Sequence, residues 1–244
     1  MKITTYDTER ILARTLAVQI AAALGQRPST VLGLPTGRTP IRLYHELGSL
    51  CGNGQVDFSN ATTFNLDEFV GIAPHHPGSY RTFMQEHLFS RVNVPADRIN
   101  FLDGVAVDPD AECERYEAAI EAAGGIDLQI LGIGTNGHIG FNEPGRTLQP
   151  LTHRVTLRAS TRRSNASLFG GDAEKVPGQA LSMGMATILT ARRIVLLATG
   201  ASKARCVERM IEGRVTPRLP ASFLQLHADA EVWLDYAAAA RIRG

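Results

Sequence analysis

The sequence predicts an α/β protein in which helices cover both faces of a mostly parallel sheet. Strand-like apolar runs alternate along the chain with helix-like periodic segments, which is the pattern of strand–helix–strand units. The chain has 244 residues, 44% of them hydrophobic, so it can bury a substantial core. We expect a single domain over residues 1–244. The candidate strands are Thr30–Leu34, Thr62–Asn65, Leu128–Ile133, Arg193–Ala198 and Glu231–Leu234.

The first helix is clearly marked. Thr8 can cap its amino terminus, leucine or isoleucine recurs at every fourth position from Leu12 to Leu24, and Gly25 ends the pattern. Three further helices are predicted: Ile41 to Leu47 with Pro40 in the first turn and Gly48 after it, Asp108 to Ala123 before Gly124, and Lys203 to Glu212 before Gly213.

Residues 146–178 form a polar stretch with few strong apolar signals, and the stretch contains Gly170-Gly171-Asp172. We expect it to be a mobile flap within the single domain. An ordinary surface loop has the same composition, so the composition supports the two interpretations equally.

Composition limits the kinds of partner. A net charge of +1 and a pI of about 7.8 give no overall field toward nucleic acid or an anionic membrane. The three cysteines are scattered and form no CxxC pair, as in a reducing compartment. No apolar run has the length of a membrane span, and the first residues lack a signal-peptide core. We therefore expect a cytoplasmic protein with a small-molecule substrate.

The segment from Gly132 to Pro144 holds the strongest chemical signal. It follows the apolar run Leu128 to Leu131, so it lies at the carboxyl end of a predicted strand, where α/β sheets bind ligands. His138 and Glu143 within it can move protons at neutral pH. Its glycines also spell G-x-G-x-x-G, but Pro144 follows too soon for the helix that a dinucleotide site needs. A nicotinamide cofactor is therefore not expected.

A second loop, Pro35 to Pro40, lies between a strand and a helix start. Thr36, Gly37, Arg38 and Thr39 can present backbone N–H groups and a helix's positive end to an anion. The same residues would serve as an ordinary connection with Thr39 as a cap, and from this segment alone that interpretation is slightly favoured.

Charged residues follow two other predicted strands. Asp67 or Glu68 can reach the same sheet edge and act as a base if burial raises the carboxyl pKa; a solvated acidic turn is the alternative.

Lys203 lies at a helix start, where the dipole disfavours a cation unless an anion binds beside it. Arg162 and Arg163 can add a bidentate phosphate contact. No HExxH pair or Cys/His cluster is present, so no metal is expected, and no GxSxG elbow marks a serine nucleophile.

Together these segments resemble the glucosamine-6-phosphate deaminase (isomerising) family. The matching stretches are LGLPTGRTP from Leu32, FNLDEFVG from Phe64, HPGSYRTFM from His76, GIGTNGHIGFNEP from Gly132, VPGQAL from Val176, and Gly200–Lys203. The resemblance implies a three-layer α/β/α sandwich with a modified doubly wound sheet. It also implies conversion of glucosamine 6-phosphate and water to fructose 6-phosphate and ammonia without a cofactor.

The resemblance also implies roles for individual residues. Asp67 matches the base that moves a proton between carbons 2 and 1 of the opened sugar. His138 matches the group that opens the ring, and Glu143 matches the carboxylate that holds this histidine. The matching phosphate site comprises Thr36, Gly37, Arg38, Thr39, Arg162 and Lys203.

Two positions depart from the family pattern. Asn136 stands where many members have aspartate, so one anionic partner of His138 is missing, and Arg38 replaces a small residue. An amide can still orient the imidazole. Arg38 either adds a cation to the phosphate loop or crowds the turn.

Other functions remain open at this stage. A 6-phosphogluconolactonase would show a different pattern after its Gly-His pair. A galactosamine-6-phosphate deaminase is not excluded, and a sugar-phosphate-sensing domain would be a non-enzymatic use of the fold.

Effector-binding side chains of longer family members are matched here by Arg146, His153 and Val155. We therefore predict a monomer or small homo-oligomer without allosteric regulation.

Overall fold

The computed structural model describes residues 1–242, and a seven-stranded parallel sheet forms the centre of that part of the chain. The strands in chain order are β1 (Lys2–Tyr6), β2 (Val31–Leu34), β3 (Thr62–Asn65), β4 (Asp67–Phe69), β5 (Ile99–Asn100), β6 (Leu128–Gly132), β7 (His153–Thr156), β8 (Gln179–Ser182), β9 (Arg193–Ala198) and β10 (Ala230–Asp235). The central sheet has the order β1-β10-β9-β6-β2-β3-β5, and each neighbouring pair is parallel.

Helices pack on both faces of this sheet. They are α1 (Glu9–Gln26), α2 (Ile41–Gly52), α3 (Tyr80–Met84), α4 (Pro109–Ala122), α5 (Ala159–Asn165), α6 (Met185–Leu189), α7 (Ala204–Glu212) and α8 (Tyr236–Ala239). Alternate residues of β2 enter different cores: Leu32 packs with Leu16 of α1, whereas Val31 lies in the cluster of Tyr116 and Val207 from α4 and α7. This alternation makes three layers, and it confirms the predicted fold class.

A small antiparallel sheet lies beside the central one, with the order β4-β8-β7. Asp67 begins β4 two positions after Asn65, the last residue of β3, and pairs with Ser182 of β8. The stretch 146–178, which we predicted to be a flap, contributes β7 and α5 to this region. The small sheet therefore joins the flap segment to the residue that was expected to be a base.

The predicted strands agree with the structure within one residue at each end, and Thr62–Asn65 and Arg193–Ala198 agree at both ends. The prediction missed β1 and the short strand β5, which lie at the two edges of the sheet. β1 is half exposed and rich in threonine, so it has no continuous apolar run. The strands of the small sheet were also missed.

Helix ends differ from prediction at one instructive place. Gly48 was expected to end the second helix, but α2 continues to Gly52. A Cβ at position 48 would lie 2.7 Å from Cβ of Arg91, so this glycine lets the neighbouring segment pack closely against the helix. Thr8 does cap α1, accepting a hydrogen bond from the backbone N–H of Ile11. Lys203 precedes α7 by one residue instead of beginning it.

Candidate active site

A cavity of about 750 Å³ lies at the carboxyl ends of the central strands. The loops after β2, β3, β6 and β9 all reach it, because parallel strands present their carboxyl ends at one edge of the sheet. Residues of α5 complete the wall. The segments that were predicted to carry chemistry therefore meet around one cavity.

Asp67 lines this cavity from the first position of β4, and its side chain is buried. Burial, together with the nearby carboxylate of Glu68, raises the pKa of Asp67 to about 8. A carboxyl group with this pKa changes charge near neutral pH. That is the property required of a group that both takes and returns a proton.

Glu68 points away from the cavity. Its carboxylate accepts hydrogen bonds from the backbone N–H groups of Tyr80 and Arg81, at 3.0 Å each, and from the hydroxyl of Ser79 at 2.7 Å. Burial raises the pKa of Glu68, and these hydrogen bonds oppose the shift. Glu68 therefore caps α3, and Asp67 is the carboxyl of the pair that faces the cavity.

The glycines of the segment after β6 form a tight turn that carries His138. Gly137 has a φ of +93°, which suits glycine, and its N–H donates to the carbonyl of Gly134 at 2.9 Å. A Cβ on Gly134 would lie 2.3 Å from the imidazole ring, so only glycine leaves room for His138 there. The turn thus places the imidazole in the cavity wall, and it begins no helix.

Burial lowers the pKa of the His138 imidazole; Glu143 opposes the shift, and the positive charge of Lys203 adds to it. Nδ1 of His138 lies 3.6 Å from Oε1 of Glu143. This distance exceeds that of a hydrogen bond. The ring nitrogen is buried without a hydrogen-bond partner among the described residues.

Asn136 connects the other members of the site. Its amide Nδ2 donates to Oε2 of Glu143 at 2.8 Å, and its Oδ1 accepts from the backbone N–H of His138 at 3.2 Å. An aspartate here would be an anionic partner of His138, and Asn136 lacks that charge. In the structure the amide supplies a donor that an aspartate could not, and it fixes Glu143 in place.

Two contacts of Glu143 were not predicted. The hydroxyl of Thr161, on α5, donates to Oε1, and the guanidinium of Arg158 lies 4.0 Å from Oε2. Both residues are more than a dozen positions from Glu143 in sequence. No sequence signal marked them, because the contact depends on how α5 packs over the turn.

Part of the cavity wall is cationic. The loop residues Thr36, Gly37, Arg38 and Thr39 line it, together with Lys203. The ammonium group of Lys203 donates to the carbonyl of Ile133 at 2.6 Å, and burial lowers its pKa while the Cys206 thiol opposes the shift. Arg38 is exposed at the cavity, so it adds a cation without crowding the turn.

Arg162 does not reach the cavity. Its guanidinium donates to the carbonyl oxygens of Val176 and Glu174, at 3.1 and 3.0 Å, and forms an ion pair with the Glu174 carboxylate. Arg163, the next residue on α5, lines the cavity instead. The hydrogen bonds to Val176 and Glu174 hold the Arg162 guanidinium away from the cavity.

Comparison with known proteins identifies the family. The model of the family described as glucosamine-6-phosphate isomerases/6-phosphogluconolactonase matches residues 5–233. The chain belongs to this family. Glucosamine-6-phosphate deaminase 2 of Bacillus subtilis (strain 168) is 47% identical over 244 residues, covering 100% of this chain and 98% of that protein. The glucosamine-6-phosphate deaminase of Halothermothrix orenii is 45% identical, covering 98% and 99%.

Solved structures agree with this family membership. A monomeric glucosamine-6-phosphate deaminase has a TM-score of 0.95 and 41% identity, with 99% of this chain and 100% of the other covered. The 6-phosphogluconolactonase of Trypanosoma cruzi shares the fold, with a TM-score of 0.79 at 18% identity and coverage of 100% and 97%.

Two structural features of residues 1–242 concern membranes and metals. None of the helices there is long and apolar enough to cross a membrane. In the same residues, three or more His, Cys, Asp or Glu side chains never come together in a way that could hold a metal ion. The absence of a metal or cofactor from the reaction stays a prediction.

Proposed function

We propose that this protein is a glucosamine-6-phosphate deaminase, which converts glucosamine 6-phosphate and water to fructose 6-phosphate and ammonia. The observation that carries the proposal is the pairing in one cavity of a buried carboxyl, Asp67, with a His138–Glu143 pair and a cationic wall. The relatives that carry this activity in their names match the chain over nearly its whole length.

The reaction needs two separate proton-transfer groups. His138 opens the pyranose ring by taking the proton of the carbon 1 hydroxyl and passing a proton to the ring oxygen. Ionised Asp67 then takes the proton from carbon 2 and returns it to carbon 1, while a proton passes from the amine nitrogen to the carbon 1 oxygen, which leaves an imine at carbon 2. Water adds to that carbon, and the C–N bond breaks to release ammonia and the ketone of fructose 6-phosphate. The raised pKa of Asp67 is suited to taking and giving the same proton.

The substrate's ammonium group also bears on Asp67. The positive nitrogen on carbon 2 would lie beside the carboxyl that attacks the neighbouring C–H bond. An opposite charge at that range favours the ionised carboxylate and lowers its pKa from the value in the empty cavity. Binding of the protonated amine therefore produces the base that the next step requires.

We propose that the phosphate binds at the cationic wall, with the backbone of residues 36–39 beneath it and Arg38 and Lys203 around it. Arg163 takes the place that we first assigned to Arg162, because Arg163 lines the cavity. A phosphate held there supplies binding energy remote from the reacting carbons and fixes their position relative to Asp67.

Three further features belong to this proposal. The chain acts as a monomer or small homo-oligomer, in keeping with the monomeric deaminase of similar structure. It functions in the cytoplasm as a single domain. Residues 146–178 form a flap over the substrate, since α5 within them contributes to the cavity wall.

A substrate panel tests the function. Purified protein is supplied with glucosamine 6-phosphate, galactosamine 6-phosphate or 6-phosphogluconolactone, and fructose 6-phosphate, ammonia and acid release are followed separately. We expect one fructose 6-phosphate and one ammonia per glucosamine 6-phosphate consumed. Faster turnover of either other compound would assign the protein to that activity. Binding without turnover of any of them would indicate a sensing domain.

A further inference from the structure

The Glu143 carboxylate is surrounded by donors other than His138. Its Oε2 accepts from the Asn136 amide and lies 4.0 Å from the Arg158 guanidinium, while its Oε1 accepts from the Thr161 hydroxyl. The carboxylate is almost fully enclosed, with 8% of its side-chain surface exposed. Its orientation is therefore set by the residues around it.

The Thr161 contact falls on the oxygen that matters most for His138. Oε1 is the carboxylate oxygen nearest the imidazole, 3.6 Å from Nδ1. The Thr161 hydroxyl occupies this oxygen, and Nδ1 is left buried without a hydrogen-bond partner in the described part of the chain. Thr161 itself is 3% exposed, so water does not compete freely for its hydroxyl.

We infer that Thr161 is a positioning residue, whose hydroxyl holds the Glu143 carboxylate back from Nδ1 of His138 and so sets how strongly the two pair. The inference rests on the proposed function for its catalytic meaning. Thr161 lies on α5, the helix that also presents Arg163 to the cavity. A helix that contacts the substrate anion at one residue thus holds the carboxylate partner of His138 at another.

The charges around His138 and Glu143 predict the direction in which the His138 pKa should change. Glu143 favours the imidazolium form of His138, Lys203 disfavours it, and Arg158 offsets part of the charge on Glu143. Burial also lowers the pKa of His138. A hydroxyl that donates to Oε1 reduces the ability of that oxygen to accept from a protonated ring. Removing the hydroxyl should therefore favour the imidazolium.

Two variants at one position separate the hydroxyl from packing. Thr161→Val keeps the branched shape and removes the donor, whereas Thr161→Ser keeps the donor and removes a methyl group. The imidazole signals of ¹⁵N-labelled protein are followed by NMR over pH, and the His138 signal is identified by its absence in His138→Gln. We expect Thr161→Val to raise the His138 pKa by about one unit, and Thr161→Ser to leave it at the wild-type value.

An unchanged or lowered His138 pKa in Thr161→Val would overturn the inference. An equal shift in both variants would also overturn it, because packing would then be the cause. Turnover of glucosamine 6-phosphate is measured separately, because the acid limb of its kcat/KM profile follows the ionisation of Asp67, whose pKa is about 8. If the wild-type protein does not turn over this substrate, the proposed function fails, yet the titration still decides the role of Thr161.

Discussion

The amide nitrogen of Asn136 donates a 2.8 Å hydrogen bond to Oε2 of Glu143. The same side chain accepts from the backbone N–H of His138, so one neutral residue fixes both members of the proton-transfer pair. An aspartate here would place two carboxylates within hydrogen-bond distance of each other. The asparagine removes that repulsion and leaves Glu143 as the carboxylate facing the ring.

Asn136→Ala should therefore lower kcat more than it raises KM. The variant loses the donor to Glu143 and the acceptor for His138, and a hydrogen bond to a charged group contributes about 1.5–3 kcal/mol. If that energy is lost mainly in the transition state, kcat falls by about 10- to 100-fold. Steady-state kinetics measure both constants. A kcat within twofold of wild type would show that the turn holds His138 without Asn136.

A second prediction concerns the charge state of Asp67 before substrate binds. Burial raises the pKa of Asp67 to about 8, so the group is protonated below that pH and ionised above it. A ¹³C NMR titration of the ligand-free protein should show a carboxyl signal that titrates near 8 and is missing in Asp67→Asn. If every aspartate signal titrated below pH 5, the cavity would be wetter than the structure indicates.

Adjacent arginines on α5 provide a matched pair for the phosphate site. We expect Arg163→Ala to raise KM for glucosamine 6-phosphate by about 10- to 100-fold, because a charge-assisted contact is lost. Arg162→Ala should change KM by less than about threefold, since that guanidinium binds Glu174 and the carbonyl of Val176. A larger KM effect from Arg162→Ala would return the phosphate contact to Arg162.

The choice between these arginines illustrates the limit of sequence reasoning. The sequence located both on a polar segment, but which one faces the cavity depends on where α5 begins and on how it packs. The same limit applies to Thr161, which contacts Glu143 across 18 positions. Contacts between residues this far apart leave no pattern in the local sequence.

Regular elements with apolar periodicity were predictable for a physical reason. The strands β2, β6 and β9 are buried and appear as apolar runs, and their carboxyl ends and that of β3 had to meet at one edge. That geometry brought Asp67, His138 and Lys203 to one cavity, as predicted from their places after strands. The small sheet was missed because β7 has alternating exposure and only four residues.

Regulation is the fourth prediction. The positions that match the effector pocket of longer family members are Arg146, His153 and Val155, which differ in chemistry from a hydroxyl and two cations. We expect a hyperbolic dependence of rate on glucosamine 6-phosphate, unchanged by N-acetylglucosamine 6-phosphate except for competition. Allostery requires a second site that distinguishes two states. A sigmoidal curve that became hyperbolic on adding this compound would contradict the prediction.

The central claim is that Asp67 is the carbon-acid base of a deaminase, and kcat of Asp67→Asn tests it most directly. Glu68→Gln is the matched control, because Glu68 is the adjacent buried carboxyl but caps α3 outside the cavity. With glucosamine 6-phosphate as substrate, and fructose 6-phosphate and ammonia measured together, Asp67→Asn should lose a factor of roughly 10²–10⁴ in kcat. Glu68→Gln should retain most turnover and lose thermal stability. Near-normal kcat in Asp67→Asn would contradict the account.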